Sequence, residues 1–197
     1  MVNSAPSEEE TRTRARTRRA ILDAAVKVLG ENSAAPLSQV ARAAGVARST
    51  LQRYFPERAD LTNALGEYAD ELITEAMHRA RTTEGTGLEA FRRLIPEYFA
   101  LQKVIMLAFG NEEDYTESPE EECGEADLAL TALIERGHAD GSIDPAISAD
   151  WMQQFLWAGL YSGWSYVNTG RVSAYEALNL CVLSLVKVVA TPSGGRG

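Results

Sequence analysis

No stretch of this chain alternates apolar and polar residues with a period of two, whereas apolar residues recur at three- and four-residue spacing over most of its length. That pattern confines the chain to helices packed on helices, so the expected fold class is all-α. From Thr13 to Leu29, the residues Ile21, Ala24, Ala25, Val28 and Leu29 form one helical stripe, ended by Gly30 and Asn32. Pro36 is placed to open a second helix at its first-turn position, with Leu37, Val40 and Ala41 facing inward, and Gly45 breaks the chain after Ala44. A short third helix is expected over Arg48 to Tyr54, stopped by Pro56, and a longer fourth from Asp60 to about Arg81. Leu88 to Phe109 reads as a helix that Pro96 should kink or divide. Asn111 to Glu122 holds seven acids in twelve residues and reads as a solvated loop. Ser118-Pro119 and the three glutamates after it are suited to start a helix reaching Arg136, with Gly137 as its C-cap. Ser148 to Asn168 and Ser173 to Val189 complete the set, and no internal repeat is present.

The formal net charge of −9 taken whole argues against a nucleic-acid partner, but its distribution reverses the argument. Residues 11 to 58 carry 10 Lys+Arg against 3 Asp+Glu, while residues 67 to 197 carry 9 against 21. A basic N-terminal module on an acidic body meets phosphate at one end and keeps the other end off it. The expected organisation is a disordered arm over 1–12, a DNA-binding domain over 13–59, a helical effector-binding and dimerisation domain over 60–191, and a flexible tail over 192–197.

Two short helices joined by a glycine-containing turn and preceded by a supporting helix make a helix-turn-helix, whose second short helix enters the major groove. The motif is LSQVARAAGVARSTLQRYF, Leu37 to Phe55. Ala41 and Ala44 are small enough for close crossing, Gly45 permits the turn, and Val46 and Leu51 are placed to plug the pair onto the first helix. Arg48, Ser49, Gln52 and Arg53 can reach base edges, Arg favouring guanine and Gln adenine; Thr50, Tyr54, Arg58 and Ser38 complete the DNA-binding set, with Thr50, Tyr54 and Arg58 better placed for phosphates. Five arginines between Arg12 and Arg19 adjoin the motif and can add phosphate or minor-groove contacts.

With its flanks, RRAILDAAVKVLGE and then LSQVARAAGVARSTLQRYFPERADLTNAL, the chain resembles the TetR family of bacterial transcriptional regulators, most specifically over residues 14 to 66. The resemblance implies a recognition helix over Ala47 to Tyr54 and a phosphate-binding basic residue at Arg58. It also places Gln52 where the family often has tyrosine, and Pro36 where it usually has a capping threonine. It further implies a body that dimerises through its last two helices and holds an effector pocket between the others.

The spacing in the body is compatible with that. Gly159 and Gly163 lie four apart on one face of a helix, and Leu178, Cys181, Val182, Leu185, Val188 and Val189 form an apolar stripe; it serves either a four-helix interface or the chain's own core. The aromatic residues Trp151, Phe155, Trp157, Tyr161, Trp164 and Tyr166 must spread around their helix axis. The expected effector-lining set is Tyr98, Gln102, Met106 and Phe109 on one wall and Trp151, Phe155 and Ala158 on the other; plain core is the competing reading of such a stripe. Any ligand is expected to be largely apolar or aromatic; Glu97 and Gln102 near Pro96 are placed to orient it by hydrogen bonds, with a solvated Glu97 the favoured reading of that residue.

Other function classes find little support. Cys123 and Cys181 form no CxxC or Cys/His cluster, which fits a cytoplasmic protein without zinc or disulfides, and no apolar run approaches a membrane span. Cys123 lies among glutamates whose field disfavours a thiolate. Glu75-x-x-His78 and Glu135-x-x-His138 have di-iron spacing, but such a site needs further glutamates, and Gly137 sits inside the second pair. No nucleophile elbow, P-loop or GxGxxG occurs. The expectation is therefore a protein without catalytic residues, metal or cofactor. It is a homodimeric regulator of double-stranded DNA, acting as a repressor released from a palindromic operator by a small effector. The competing readings are a helical-bundle enzyme or metal-binding protein, and a DNA-binding module with no effector.

Overall fold

The structure, a computed structural model, describes residues 8–109 and 124–192. Among the described residues there are nine helices and no strand; a single isolated bridge pairs Ile143 with Ala190. The described residues divide into two compact units, one of residues 8–69 and 103–109 and the other of 70–102 and 124–192. The division departs from the expected 13–59 and 60–191, because it gives the first unit the opening turns of the fourth helix and most of the sixth.

In the first unit, α1 (Glu8–Leu29) starts five residues before the expected Thr13, so the part of the arm after residue 7 is helical. The rest of the arm lies outside the described residues. Ile21, Leu22, Ala24, Ala25 and Leu29 bury one face of α1 against α2 (Leu37–Ala43) and its surroundings. Pro36 is the N-cap of α2, one position before its expected place, in extended backbone with φ −70° and ψ 146°. Gly45 turns the chain at φ +69°, a conformation that costs an L side chain strain, and leads into α3 (Arg48–Tyr54). Val46 N–H donates to Ala41 O at 3.0 Å, closing the turn. Leu51 and Phe55 are buried and anchor α3 from behind. The unit is completed by residues 58–69 of α4 (Arg58–Arg79) and 103–109 of α6 (Gln102–Phe109).

The second unit is a bundle of the remainder of α4 with α5 (Gly87–Phe99), α7 (Glu125–Ala139), α8 (Ala149–Asn168) and α9 (Ala174–Val189). The helix starts are well specified locally. Thr86 with Glu89 and Ser173 with Glu176 form capping boxes, and Ser148 accepts from Trp151 N–H. Pro96 lies inside α5 and does not divide it; the break comes at Ala100 and Leu101. A proline forfeits one backbone bond, and here the buried face formed by Phe91, Leu94, Ile95, Tyr98 and Phe99 continues past it.

The expected start of the seventh helix at Ser118-Pro119, the acidic loop and Cys123 lie outside the described residues, and α7 begins at Glu125 behind Gly124. Gly137 is not a C-cap, because α7 continues to Ala139. Its lack of a side chain makes room for Ile143, whose Cδ1 would stand 2.4 Å from a Cβ there, and its backbone meets α5, where a Cβ on Gly87 would stand 2.3 Å from Gly137 Cα. Gly159 and Gly163 likewise admit the chain's own α9, since Cβ atoms there would meet Leu185 at 2.8 Å and Cys181 Sγ at 2.3 Å. Cys181, Leu185 and Val189 are accordingly buried within the unit, whereas Val188 is exposed.

Candidate nucleic-acid interface and effector site

With Leu51 turned into the core, α3 carries Arg48, Ser49, Gln52 and Arg53 exposed, and Thr50 and Tyr54 half-buried. Ser38 is exposed near the start of α2. These residues lie in one unit and on consecutive elements, as a helix-turn-helix requires. Arg58 is exposed, but its guanidinium donates to Ala35 O at 3.0 Å and to Ser33 O, stapling the start of α4 to the turn between α1 and α2. Behind α3, α1 is braced to α4: Arg18 pairs with Glu67 at 2.9 Å, and Tyr68 donates to Asp23 at 2.5 Å. Burial and the Asp23 carboxylate push the Tyr68 phenol up to about 12.

Of the seven residues expected to line an effector, Tyr98, Gln102, Trp151, Phe155 and Ala158 belong to the second unit. Tyr98 is buried and stacks on Trp157, with ring centroids 5.4 Å apart and planes 13° from parallel. Burial, with the Asp127 charge, raises its phenol well above the usual tyrosine range. Gln153, one turn before Trp157, donates to Thr131 Oγ1 at 2.7 Å and ties α8 to α7. Phe155 and Ala158 line a different surface, an 870 Å³ groove shared with α9 residues such as Leu180 and Cys181. Trp151 is 64% exposed, and Met106 and Phe109 belong to the first unit. Gln102 closes the second unit's first segment at the start of α6. Glu97 is spent on an ion pair with Arg79 at 2.8 Å.

Trp157 is the residue that sequence reasoning left out of its lining set. Its signal was available in the two-residue offset from Phe155, which puts it on another side of α8. Trp164 also faces inward, donating from Nε1 to Phe99 O at 3.0 Å.

A family model for the bacterial regulatory proteins of the tetR family matches residues 21–65. The chain is also 32% identical, over 182 residues, to the HTH-type transcriptional repressor LfrR of Mycolicibacterium smegmatis (strain ATCC 700084 / mc(2)155), spanning 92% of this chain and 95% of that one. The chain belongs to the TetR family. It is thus a helix-turn-helix transcriptional regulator and not an enzyme.

Solved structures agree with this TetR-family membership. The crystal structure of LfrR from Mycobacterium smegmatis in complex with proflavine superposes with a TM-score of 0.68 at 30% identity, covering 90% of this chain and 98% of that one. The TetR transcriptional regulator SCO0520 from Streptomyces coelicolor, at 23% identity, shares the fold with a TM-score of 0.65 over 89% of this chain and 99% of that chain.

Among the described residues of this TetR-family chain, no group of three or more His, Cys, Asp or Glu is placed to hold an ion. No helix among the described residues is long and apolar enough to cross a membrane.

Proposed function

We propose that this TetR-family regulator is a homodimeric repressor. It grips a two-fold symmetric operator through α3 and releases it when a flat, largely apolar or aromatic molecule binds in the second unit beside Tyr98 and Trp157. The near-parallel stack of those two rings carries the reading. An offset stack offers a preformed face to a third planar ring, and the Asp127 carboxylate near enough to shift Tyr98 supplies a counter-charge to a cationic one. The likeness to LfrR, whose structure holds the planar cation proflavine, supports the same ligand class.

Release requires that the effector bind the non-DNA-bound arrangement more tightly than the bound one. Helix α4 gives the two units a continuous covalent link: it starts at Arg58 among the DNA-facing residues and ends at Arg79 in the effector-binding unit. The partner copy is assigned to the outer face of α8 and α9, where Tyr161 and Leu180 line the groove and Leu183 and Val188 of α9 are also exposed. An apolar patch of this kind on a regulator that reads inverted repeats fits an isologous contact with a second copy.

Titration of the full-length protein with proflavine, bound to the inverted-repeat fragment it selects from genomic DNA, tests the reading. Tryptophan fluorescence should be quenched and operator anisotropy should fall over the same concentration range. Saturating proflavine and related planar cations that changed neither signal would overturn the effector assignment. Half-site centres should be about 10 base pairs apart or a multiple of that. Sedimentation should show a dimer that Leu183→Glu dissociates.

A further inference from the structure

We propose that the ring of Tyr54, not its hydroxyl, is a positioning element of the DNA-binding face. It holds Arg14 of α1 and Arg53 of α3 as a pair of charged guanidinium groups, and so makes the N-terminal turns of α1 part of the phosphate-contacting surface. The inference rests on the DNA-binding reading above and adds residues and a mechanism to it.

The geometry converges on one ring. The Arg14 guanidinium carbon lies 5.9 Å from the Tyr54 centroid and that of Arg53 lies 5.8 Å from it, both within the range at which the ring quadrupole attracts a cation. Tyr54 is itself seated. It is half-buried, and its ring lies 6.4 Å from that of Phe55, which is buried. The platform is therefore continuous with the core of the first unit.

What separates Arg14 from its neighbours is the kind of partner each has. Arg18, one turn further along α1, spends its charge on Glu67. Arg19 lies over the Tyr68 ring at 5.6 Å, against α4. Arg14 reaches across to Tyr54 of the recognition helix, and an aromatic face orients a guanidinium without cancelling its charge. Arg14 and Arg53 have no carboxylate within ion-pair distance among the described residues, so two like charges share one ring. A bound anion offsets that like charge and accepts from guanidinium N–H groups, which is the chemistry of a backbone phosphate. The consequence for Arg53 is a change of role, from base reading to phosphate contact, leaving base edges to Arg48, Ser49 and Gln52.

The test uses the full chain, the genomic fragment it retains and a scrambled duplex of equal length, with affinities measured between 50 and 200 mM salt. Arg14→Ala should weaken both duplexes alike and lower the slope of log affinity against log salt by about 0.9, the value of one phosphate contact. Tyr54→Phe keeps the ring and should match the wild type. Tyr54→Leu should lose at least what Arg14→Ala loses, and adding Arg14→Ala to Tyr54→Leu should cost nothing further. Two results with Tyr54 variants would overturn the proposal: a Tyr54→Phe loss as large as that of Arg14→Ala, which would assign the contact to the hydroxyl, or an Arg14→Ala loss undiminished in the Tyr54→Leu background. Arg14→Ala changes an exposed residue and Tyr54→Phe removes only a hydroxyl, so a Tyr54→Phe loss as large as that of Arg14→Ala, or an Arg14→Ala variant with the wild-type affinity and salt slope, overturns the proposal even if Tyr54→Leu does not fold. Wild-type protein that bound neither duplex at the lowest salt would remove the DNA-binding reading itself, a pattern distinct from either.

Discussion

Gly87 of α5 and Gly137 of α7 meet backbone to backbone, so closely that a Cβ on the first would stand 2.3 Å from the Cα and 2.4 Å from the N of the second. Asp140 reinforces the crossing by accepting from Gly87 N–H at 2.8 Å. Backbone cannot step aside as a side-chain tip can, so Gly87→Ala should destabilise the protein by about 1–3 kcal/mol or more. Gly66, in α4 with nothing within 4 Å of its Cβ position, is the control: Gly66→Ala should stabilise by about 0.5–1 kcal/mol. Urea unfolding of both variants checks the pair, and a Gly87→Ala variant as stable as the wild type would refute the close crossing.

Tyr68 links stability to alkaline pH. Its phenol is raised from 10.0 to about 12 by burial first and by the Asp23 hydrogen bond next, so the folded state favours the neutral form. The stability this contributes is complete below pH 10 and is lost as pH rises from about 10 to about 12. Tyr68→Phe should lower stability at neutral pH, where the bond to Asp23 is missing, and the gap between variant and wild type should shrink across that window. Urea midpoints of the two proteins from pH 8 upward measure the difference directly, and a constant gap would contradict the assignment.

Arg58 and Gln52 should separate by assay. Because the Arg58 guanidinium holds the carbonyls of Ser33 and Ala35, Arg58→Ala should cost about 1–3 kcal/mol of folding stability as well as weakening all DNA sequences alike. Gln52 is exposed on α3, so Gln52→Ala should leave the melting temperature unchanged and cost about 1–3 kcal/mol at particular operator positions. If Arg58→Ala melted like the wild type, the staple would contribute nothing and the residue would act on phosphate alone.

Trp157 and Ala158 are adjacent in sequence and serve different surfaces, one the stack on Tyr98 and the other the groove beside α9. Trp157→Ala should therefore abolish the proflavine response, a coupling of about 5- to 150-fold in operator affinity, while ligand-free operator binding stays nearly intact. Ala158→Trp should instead disturb the dimer. Anisotropy titrations with and without proflavine, set beside sedimentation of each variant, would expose an exchange of these two phenotypes.

How much of this was legible beforehand follows from the range of each interaction. The helix-turn-helix was readable because each part acts within a few residues: Gly45 at the turn, Leu51 and Phe55 behind α3, and the arginines around it. The starts of α8 and α9 were readable for the same reason, since Ser148 and Ser173 cap amides three residues away. Pro96 does not divide α5, because a lost local bond is outweighed by a buried face that only the bundle supplies.

By itself, then, the sequence determined the all-α class, the position of the helix-turn-helix and the separation of basic and acidic ends, all of which follow from period, capping and charge along the chain. Only the tertiary structure decided what each face meets. It paired Tyr98 with Trp157, turned Gly159 and Gly163 toward the chain's own α9, put Gly137 against Gly87, and spent Arg58 on two carbonyls. The physical reason is that a 3.6-residue period specifies which side of a helix is apolar, whereas the partner of that side is chosen by close packing among helices distant in sequence.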